Sequence, residues 1–386
     1  MAIKFFNTLT REKEEFKPMK KGKAAMYTCG PTVYNFAHIG NYRAYTFEDI
    51  LRRYLKYRGF QVTQVMNITD VDDKIINAVR GKDISASDYA SQFTEAFHRD
   101  LEILNVEKAE FYPKATEHIP EMVNIIKVLL EKGIAYKGED GSIYFSISKF
   151  PDYGKLAHFE PSELKAGARV KHDEYDKENV SDFALWKSWD ENDGDVFWET
   201  ELGKGRPGWH IECTAMSAKY LGNHFDIHTG GIDNMFPHHE NEIAQAEAST
   251  GEKFVNYWLH CDHLLVDGSK MAKSKGNFYT LRDILDKGYN PMAMRYFYVT
   301  SDYRKKLDFS FENLDSSSKA LTKIYEFLRR VKEMGTGESS GKVEELTASA
   351  RKSFEDAMDD DLNAPMAMGG VFIFISTPSF LQFLGS

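Results

Sequence analysis

The fold of this chain is decided by residues 24–66, which read AAMYTCGPTVYNFAHIGNYRAYTFEDILRRYLKYRGFQVTQVM. The apolar run at residues 24–28 stops at a Cys-Gly-Pro sequence, which is typical of a strand that ends in a turn. Residues 42–57 carry apolar side chains at helical spacing, and residues 61–66 indicate a second strand. A strand, a helix and a strand in this order form a βαβ unit, so we predict a doubly wound parallel α/β sheet.

Patterns further along the chain extend this prediction. We expect helices near residues 85–135 and strands at residues 225–228 and 263–266. Residues 138–199 are rich in Asp, Glu, Gly and Lys, with short strand candidates such as 142–146, and they resemble an insertion into the main sheet domain. Residues 316–359 are charged and helical in pattern.

Composition is that of an ordinary globular protein. The 386 residues are 42% hydrophobic and 28% charged, with a net charge of −10. The acidic balance argues against a generally basic nucleic-acid binder. Basic runs at residues 304–306 and 329–332 are either local RNA contacts or solvated faces. Because no run reaches the ~20 apolar residues of a bilayer span and no secretory signal is evident, we expect a cytoplasmic protein without membrane contact.

Two separated segments suggest a phosphate site. Residues 31–41 (PTVYNFAHIGN) lie between the first strand and the first helix, where doubly wound folds bind nucleotides at a helix N-terminus. His38 offers a hydrogen bond there, and Gly40 permits close approach of a ligand to the backbone. Residues 270–277 (KMAKSKGN) form a cationic loop suited to a triphosphate. A capping histidine would equally explain the first segment, and an exposed basic turn the second. The phosphate site is therefore indicated by the two segments together rather than by either one alone.

The chain has three cysteines, Cys29, Cys213 and Cys261, too few for a disulfide framework. His238 and Glu242 are four residues apart, so they share one face of a helix that opens after a proline. With Cys29 and Cys213 they make a plausible tetrahedral zinc set. Buried thiols beside a polar helix start are the alternative, and spacing alone does not decide between the two. For Cys261 we expect a core thiol.

The two phosphate segments resemble the two signature sequences of class I aminoacyl-tRNA synthetases. The resemblance implies a Rossmann-type catalytic domain, with catalytic roles for His38, Lys270 and Lys273 in stabilising charge on the reacting phosphate. It implies that ATP is bound by His38, Gly40, Asn41, Lys270 and Lys273. Two positions depart from the ideal motifs: Asn41 replaces a final His, and Ala272 replaces a Ser, which removes a hydroxyl from the loop.

Residues 29–32, 208–213 and 238–242 resemble, within that class, the cysteine-specific family, as do residues 67–74 and 225–228. The resemblance implies one zinc ion per chain that binds the substrate sulfur, with the ligands Cys29, Cys213, His238 and Glu242. It also implies a cysteine pocket formed by Gly30, Thr69, Trp209 and His228. Because zinc prefers a soft thiolate to a hydroxyl, cysteine can be separated from serine without an editing domain.

The reaction implied by the resemblance is activation of L-cysteine with ATP to cysteinyl-adenylate, with release of pyrophosphate, and then transfer to tRNA(Cys). Mg²⁺ is expected to accompany ATP, and a monomeric ligase of protein biosynthesis is expected. Two rivals stay open: a ligase that passes cysteine to a small amine, and a non-catalytic zinc- or RNA-binding paralogue. The second predicts loss of the loop lysines, which are present at Lys270 and Lys273.

The resemblance fades after residue 363. Residues 369–386 do not look like the helical bundle that the family has there, and its anticodon-binding domain is missing, so we expect a C-terminally truncated form with weakened anticodon recognition. The predicted units are a discontinuous catalytic domain (1–115 and 205–265), a connective insertion (116–204), a signature-loop and stem-contact region (266–315), and an incomplete, mainly helical tRNA-binding region (316–386).

Overall fold

The structure, a computed structural model, describes residues 2–159, 169–170, 181–272, 275–333 and 341–377. Its helices are α1 (Ile39–Tyr57), α2 (Asp73–Val79), α3 (Ala86–Ile103), α4 (Ile119–Glu131), α5 (Trp209–Leu221), α6 (Glu240–Thr250), α7 (Leu281–Asp286), α8 (Pro291–Tyr298), α9 (Phe311–Glu333), α10 (Gly341–Asp359) and α11 (Ala364–Ile375). Among these described helices, none has both the length and the apolar character needed to cross a bilayer.

In the part of the chain that the structure describes, the strands fall into four sheets. Their bounds are β1 (Lys4–Asn7), β2 (Glu12–Glu15), β3 (Lys23–Thr28), β4 (Gln61–Met66), β5 (Ala135–Lys137), β6 (Ile143–Phe145), β7 (Arg169–Val170), β8 (Asp182–Ser188), β9 (Trp198–Thr200), β10 (Gly203–Pro207), β11 (Phe225–Gly231), β12 (Val255–Cys261), β13 (Leu264–Val266), β14 (Ser269–Lys270) and β15 (Leu307–Phe309).

A parallel four-stranded sheet in the order β12-β11-β3-β4 forms the centre of the molecule. Helix α1 connects β3 to β4, and α6 connects β11 to β12. The predicted βαβ unit and the parallel α/β fold are therefore confirmed. The chain leaves β3 toward β4 on one side and leaves β11 toward β12 on the other. The crevice between the carboxyl ends of β3 and β11 is thus the switch point at which doubly wound sheets bind ligands.

Helix α1 is fixed at both ends. Near its start, the buried Arg43 donates hydrogen bonds to the carbonyl oxygens of Asp262 (2.7 Å) and His263 (2.6 Å), in the chain that leaves β12. Near its end, the Tyr54 hydroxyl donates to Asp359 of α10 at 2.6 Å, and Arg58 pairs with the same carboxylate. The helix therefore keeps one position relative to the sheet and to α10.

The described residues between α4 and α5 include a second large sheet. Strands β5, β6, β8, β10 and β9 form a sheet in that order, with β7 paired to β8, and every pair except β7–β8 is antiparallel. Within residues 138–199, the described part confirms the strand candidate at 142–146, where β6 lies, and adds β7, β8 and β9. Residues 104–114 depart from the predicted helix, because their backbone pairs with the edge of β4, for example Met66 N to Phe111 O at 3.0 Å.

The C-terminal helices pack on one another and on the N-terminus. Asp361 accepts hydrogen bonds from the Phe6 amide (2.8 Å) and from Arg304 Nε (2.7 Å). Arg304, predicted as part of a basic patch, is thus held within the molecule. Residues 369–375 end α11, with Phe374 against Phe327 of α9, which agrees with the mainly helical character predicted for the C-terminal region. Residues 378–386 lie outside the described part of the chain.

Candidate active site and metal centre

A cleft of 330 Å³ opens at the switch point of the central sheet. Its walls come from the loop after β3, the start of α1, the start of α5 and the segment around β14. It brings together most of the site residues predicted from the sequence: Cys29, Gly30, His38, Gly40, Asn41, Trp209, Cys213, His238 and Lys270. The cleft therefore joins the predicted phosphate segments to the predicted metal ligands.

His38 caps the helix that faces the cleft. Its Nδ1 accepts a hydrogen bond from the Asn41 amide at 3.1 Å, and the Asn41 side chain accepts one from the His38 amide at 3.0 Å. This reciprocal capping box is formed by the residue that departs from the ideal motif, Asn41. Burial lowers the pKa of His38. The ring is therefore neutral near pH 7, and its Nε2–H is left as the donor.

The second phosphate segment approaches the cleft from the opposite wall. Lys270 lines the cleft, as does Met271, whose methyl group lies where a side chain at Gly40 would begin. Asn277 holds the loop together, since its Oδ1 accepts from the Ala272 amide at 2.8 Å and its Nδ2 donates to the Lys270 carbonyl at 3.3 Å. Lys273 lies outside the described residues, so its catalytic role stays a prediction.

The four predicted metal ligands converge at the base of the cleft and are all buried. Cys29 Sγ lies 4.0 Å from Cys213 Sγ, and His238 Nε2 lies 3.0 Å from Glu242 Oε1. Two sulfurs bound at ~2.3 Å to a shared tetrahedral zinc ion are about 3.8 Å apart. The donor set and its spacing therefore fit zinc. Elements distant in sequence supply it: the residue after β3, the second turn of α5 and the start of α6.

Electrostatics make the same cluster a site for a cation. Burial opposes the charge of Glu242, but His228 and His238 outweigh it and lower the pKa of Glu242 to about 2. The pKa of Cys213 also falls, to about 6, because the Cys29 hydrogen bond and the neighbouring His238 outweigh burial. Burial and the adjacent Cys213 raise the pKa of Cys29. A cluster that holds buried anions in this way is stabilised by a bound cation.

Further histidines surround the cluster, and sequence reasoning missed most of them. Cys29, His228, His239 and Glu242 form a second converging set. Its members stand at hydrogen-bond distances, with His239 Nε2 at 3.2 Å from Cys29 Sγ and His228 Nε2 at 2.9 Å from Glu242 Oε2. We therefore interpret these two histidines as partners that orient the ligands. The neighbouring pair of histidines in residues 236–242 was the available signal.

Two of the four predicted cysteine-pocket residues line the cleft. Gly30 and Trp209 do so, and the indole of Trp209 stacks on His238 with ring centres 4.1 Å apart. Thr69 and His228 are 1% and 0% exposed and are not among the lining residues. They contact Glu212 and Glu242 instead. The structure thus places them one layer behind the cleft. Cys261, predicted to be a core thiol, is buried, and its edge reaches the cleft.

Gly30→Ala is expected to destabilise the protein strongly. A Cβ atom at this position would lie 1.7 Å from the Asn67 carbonyl oxygen, and a backbone atom cannot move aside as a flexible side chain can. We expect a loss of at least about 3 kcal/mol in the free energy of unfolding, measured by urea denaturation. Gly369→Ala in α11 is the matched control, because its Cβ would meet nothing within 4 Å. Equal stability of the two variants would contradict the close backbone contact.

Glu48 is connected to Cys29 through Thr229, and its buried carboxyl group is expected to make the stability of the protein depend on pH. The Thr229 hydroxyl donates to Glu48 at 3.0 Å, and the Thr229 carbonyl accepts from the Cys29 amide at 3.2 Å. Burial raises the pKa of Glu48 from 4.5 to about 8. The folded state therefore keeps a proton that the unfolded state releases. This contribution to stability is full below pH 4.5 and is lost as the pH rises to about 8.

Glu48→Gln is expected to remove that pH dependence, because glutamine still accepts the Thr229 hydrogen bond but does not ionise. Between pH 5 and 8 the wild type should lose up to about 1.4 kcal/mol of unfolding free energy per pH unit relative to the variant. Urea denaturation across this range measures the difference. The exposed Glu252→Gln is the control, and parallel curves for the wild type and Glu48→Gln would show that Glu48 ionises normally.

Comparison with known proteins identifies relatives of this chain. Residues 15–319 match the family described as tRNA synthetases class I (C) catalytic domain. The chain is 55% identical over 381 residues to a cysteine–tRNA ligase of Brachyspira hyodysenteriae, covering 97% of this chain and 80% of that protein. It is 51% identical to a cysteine–tRNA ligase of Protochlamydia amoebophila, covering 97% and 79%.

Solved structures agree on the fold. Mycobacterium tuberculosis methionyl-tRNA synthetase in complex with methionyl-adenylate has a TM-score of 0.67 at 14% identity, covering 92% of this chain and 82% of that one. A putative arginyl-tRNA synthetase from Campylobacter jejuni has a TM-score of 0.57 at 16% identity, covering 95% and 90%. These two likenesses concern the fold alone, whereas the sequence matches identify the family. The chain belongs to the cysteine–tRNA ligase family of class I aminoacyl-tRNA synthetases.

Proposed function

We propose that this chain activates L-cysteine with ATP, forms cysteinyl-adenylate with release of pyrophosphate, and transfers the cysteinyl group to tRNA(Cys). The observation that carries the proposal is the convergence of two thiols, an imidazole and a carboxylate at the base of the cleft that His38 and Lys270 also line. The proposed sulfur site and the proposed phosphate site therefore open into one cavity, as the joining of cysteine to ATP requires.

Selection of cysteine is proposed to occur at the buried cluster. Cys29, Cys213, His238 and Glu242 would hold one zinc ion, which supplies a soft Lewis acid for the substrate thiol. His228 and His239 would keep Glu242 and Cys29 in position through their hydrogen bonds. Gly30 and Trp209 would border the amino acid, while Thr69 and His228 act through the carboxylates that they contact. Serine lacks the sulfur and would lose this interaction.

The phosphate side of the cleft is proposed to bind ATP. His38 would donate from Nε2 to the reacting phosphate, and the positive end of the α1 helix dipole would add to the potential there. Gly40 and Asn41 would shape this helix start, and Lys270 and Lys273 would neutralise charge from the loop. Mg²⁺ is proposed as the counter-ion that arrives with ATP. The cysteine carboxylate then attacks the α-phosphate, and no side-chain nucleophile is required.

The surroundings of the reaction complete the proposal. We propose that the four units predicted from the sequence are the domains of the protein, and that tRNA contacts the regions after residue 266. The chain is proposed to act as a monomer in the cytoplasm. The three cysteines are free thiols, which fits a reducing compartment.

Cysteine-dependent ATP–pyrophosphate exchange, with zinc measured on the same sample, tests the proposal. We expect exchange with cysteine, little with serine, and about one zinc ion per chain. Transfer to tRNA(Cys) is then measured against a small amine acceptor. Absence of exchange in a zinc-loaded sample would rule out the proposed activity.

A further inference from the structure

The loops after β3 and β4 are in direct backbone contact beside the metal cluster. The Gly30 amide donates to Asn67 Oδ1 at 2.8 Å, and the Thr69 amide donates to the Pro31 carbonyl at 3.1 Å. Gly30 follows Cys29 directly in the chain. The position of Cys29 is therefore tied to the loop that carries Asn67 and Thr69.

A chain of buried hydrogen bonds continues from that loop to α5. Asn67 Nδ2 donates to Thr69 Oγ1 at 3.2 Å, and the Thr69 hydroxyl donates to Glu212 Oε2 at 3.0 Å. Each side chain is 1% exposed. The directions are fixed, because Asn67 must turn its oxygen to the Gly30 N–H and so presents its NH₂ group to Thr69. This series of hydrogen bonds ends at Glu212, the residue before Cys213.

We propose that Asn67, Thr69 and Glu212 are positioning residues that set the spacing of the Cys29 and Cys213 sulfurs and thereby the affinity for zinc. This inference rests on the proposed zinc site. None of the three is a ligand in the converging sets. They act through the backbone that carries the two thiols, one directly after a strand and the other in the second turn of a helix.

Burial makes the chain of hydrogen bonds sensitive to a single change. Replacing Thr69 with valine keeps the shape but removes the donor to Glu212, which leaves a buried carboxyl group without that partner. The start of α5 must then shift to find another, and Cys213 moves with it. Changes to residues that orient metal ligands typically weaken metal binding by about 10–100-fold. We expect Thr69→Val and Glu212→Ala to fall in this range.

The test compares two pairs of variants: Thr69→Val with Thr69→Ser, and Glu212→Ala with Glu212→Gln. Serine keeps the hydroxyl and glutamine keeps an acceptor, so both should bind zinc within a few-fold of the wild type. Zinc dissociation constants are measured by competition with a chelator, without cysteine or ATP. The thiolate-to-metal absorption of the cobalt-substituted protein then reports the ligand geometry, which a general loss of stability would leave unchanged.

Thr94→Val is the matched control, since among the described residues this buried threonine bonds within its own helix, to the Ala90 carbonyl at 2.9 Å. Unchanged zinc affinity and cobalt spectrum in Thr69→Val would overturn the inference, and so would equal losses in Thr69→Val and Thr69→Ser. If Glu212→Ala does not fold, the threonine pair decides. A wild type that binds no zinc would instead refute the proposed metal centre itself.

Discussion

Cys213→Ser is expected to lower zinc content and the preference for cysteine over serine together. The thiol of Cys213 is 4.0 Å from that of Cys29, and its lowered pKa of about 6 makes it an available thiolate at neutral pH. A serine hydroxyl stays protonated and is a hard, weak ligand for zinc. We expect zinc affinity to fall by more than the ~100-fold that marks the upper range for residues that only orient ligands.

Zinc per chain and the ratio of cysteine to serine in ATP–pyrophosphate exchange measure this prediction. Cys261→Ser is the matched control, because that thiol is buried but is not part of either converging set. It should keep its zinc. Normal selectivity in a zinc-free Cys213→Ser protein would show that sulfur is recognised without the metal.

Lys273→Ala is expected to slow ATP–pyrophosphate exchange by about 10²–10³-fold, the range for loss of one group that stabilises transition-state charge. Its neighbour Lys270 lines the cleft, and Asn277 closes the described ends of the loop. Cysteine binding should change little, because the four proposed metal ligands lie on other elements. Exchange kinetics measure the first effect, and calorimetric titration with cysteine measures the second.

The same loop supplies the control for this variant. Lys275→Ala removes an equal charge from an exposed position two residues further on. If the two alanine variants are equally active, the loop contributes only diffuse charge. If Lys273→Ala exchanges at the wild-type rate, the lysine has no part in the reaction.

The sequence was a sufficient guide to the central sheet and to the convergence of the four predicted ligands. Turn residues bound the strands on each side of α1, so their ends could be read to within a residue or two. His238 and Glu242 could be paired because four residues make one helical turn. Bringing them to Cys29 and Cys213 depended on the family resemblance, since no local pattern relates residues so distant in the chain.

The remaining features depend on tertiary contacts. Strand β10 reads GKGRP and has no strand propensity of its own, yet it pairs with β8. Residues 371–375 (VFIFI) suit a strand, but packing of α11 on α9 makes them helical. The hydrogen bond between Thr69 and Glu212 could not be predicted either, because it joins residues 143 positions apart.

The anchoring of α1 decides which wall of the cleft can adjust to a substrate. Nineteen residues at ~1.5 Å each make α1 about 28 Å long. It starts at the cleft, and its far end is hydrogen-bonded and ion-paired to α10. A helix held in this way cannot rotate at its N-terminal end without breaking the contacts of Tyr54 and Arg58 with Asp359. The wall of the cleft that α1 forms is therefore fixed, and His38 keeps one position relative to the central sheet when a ligand enters.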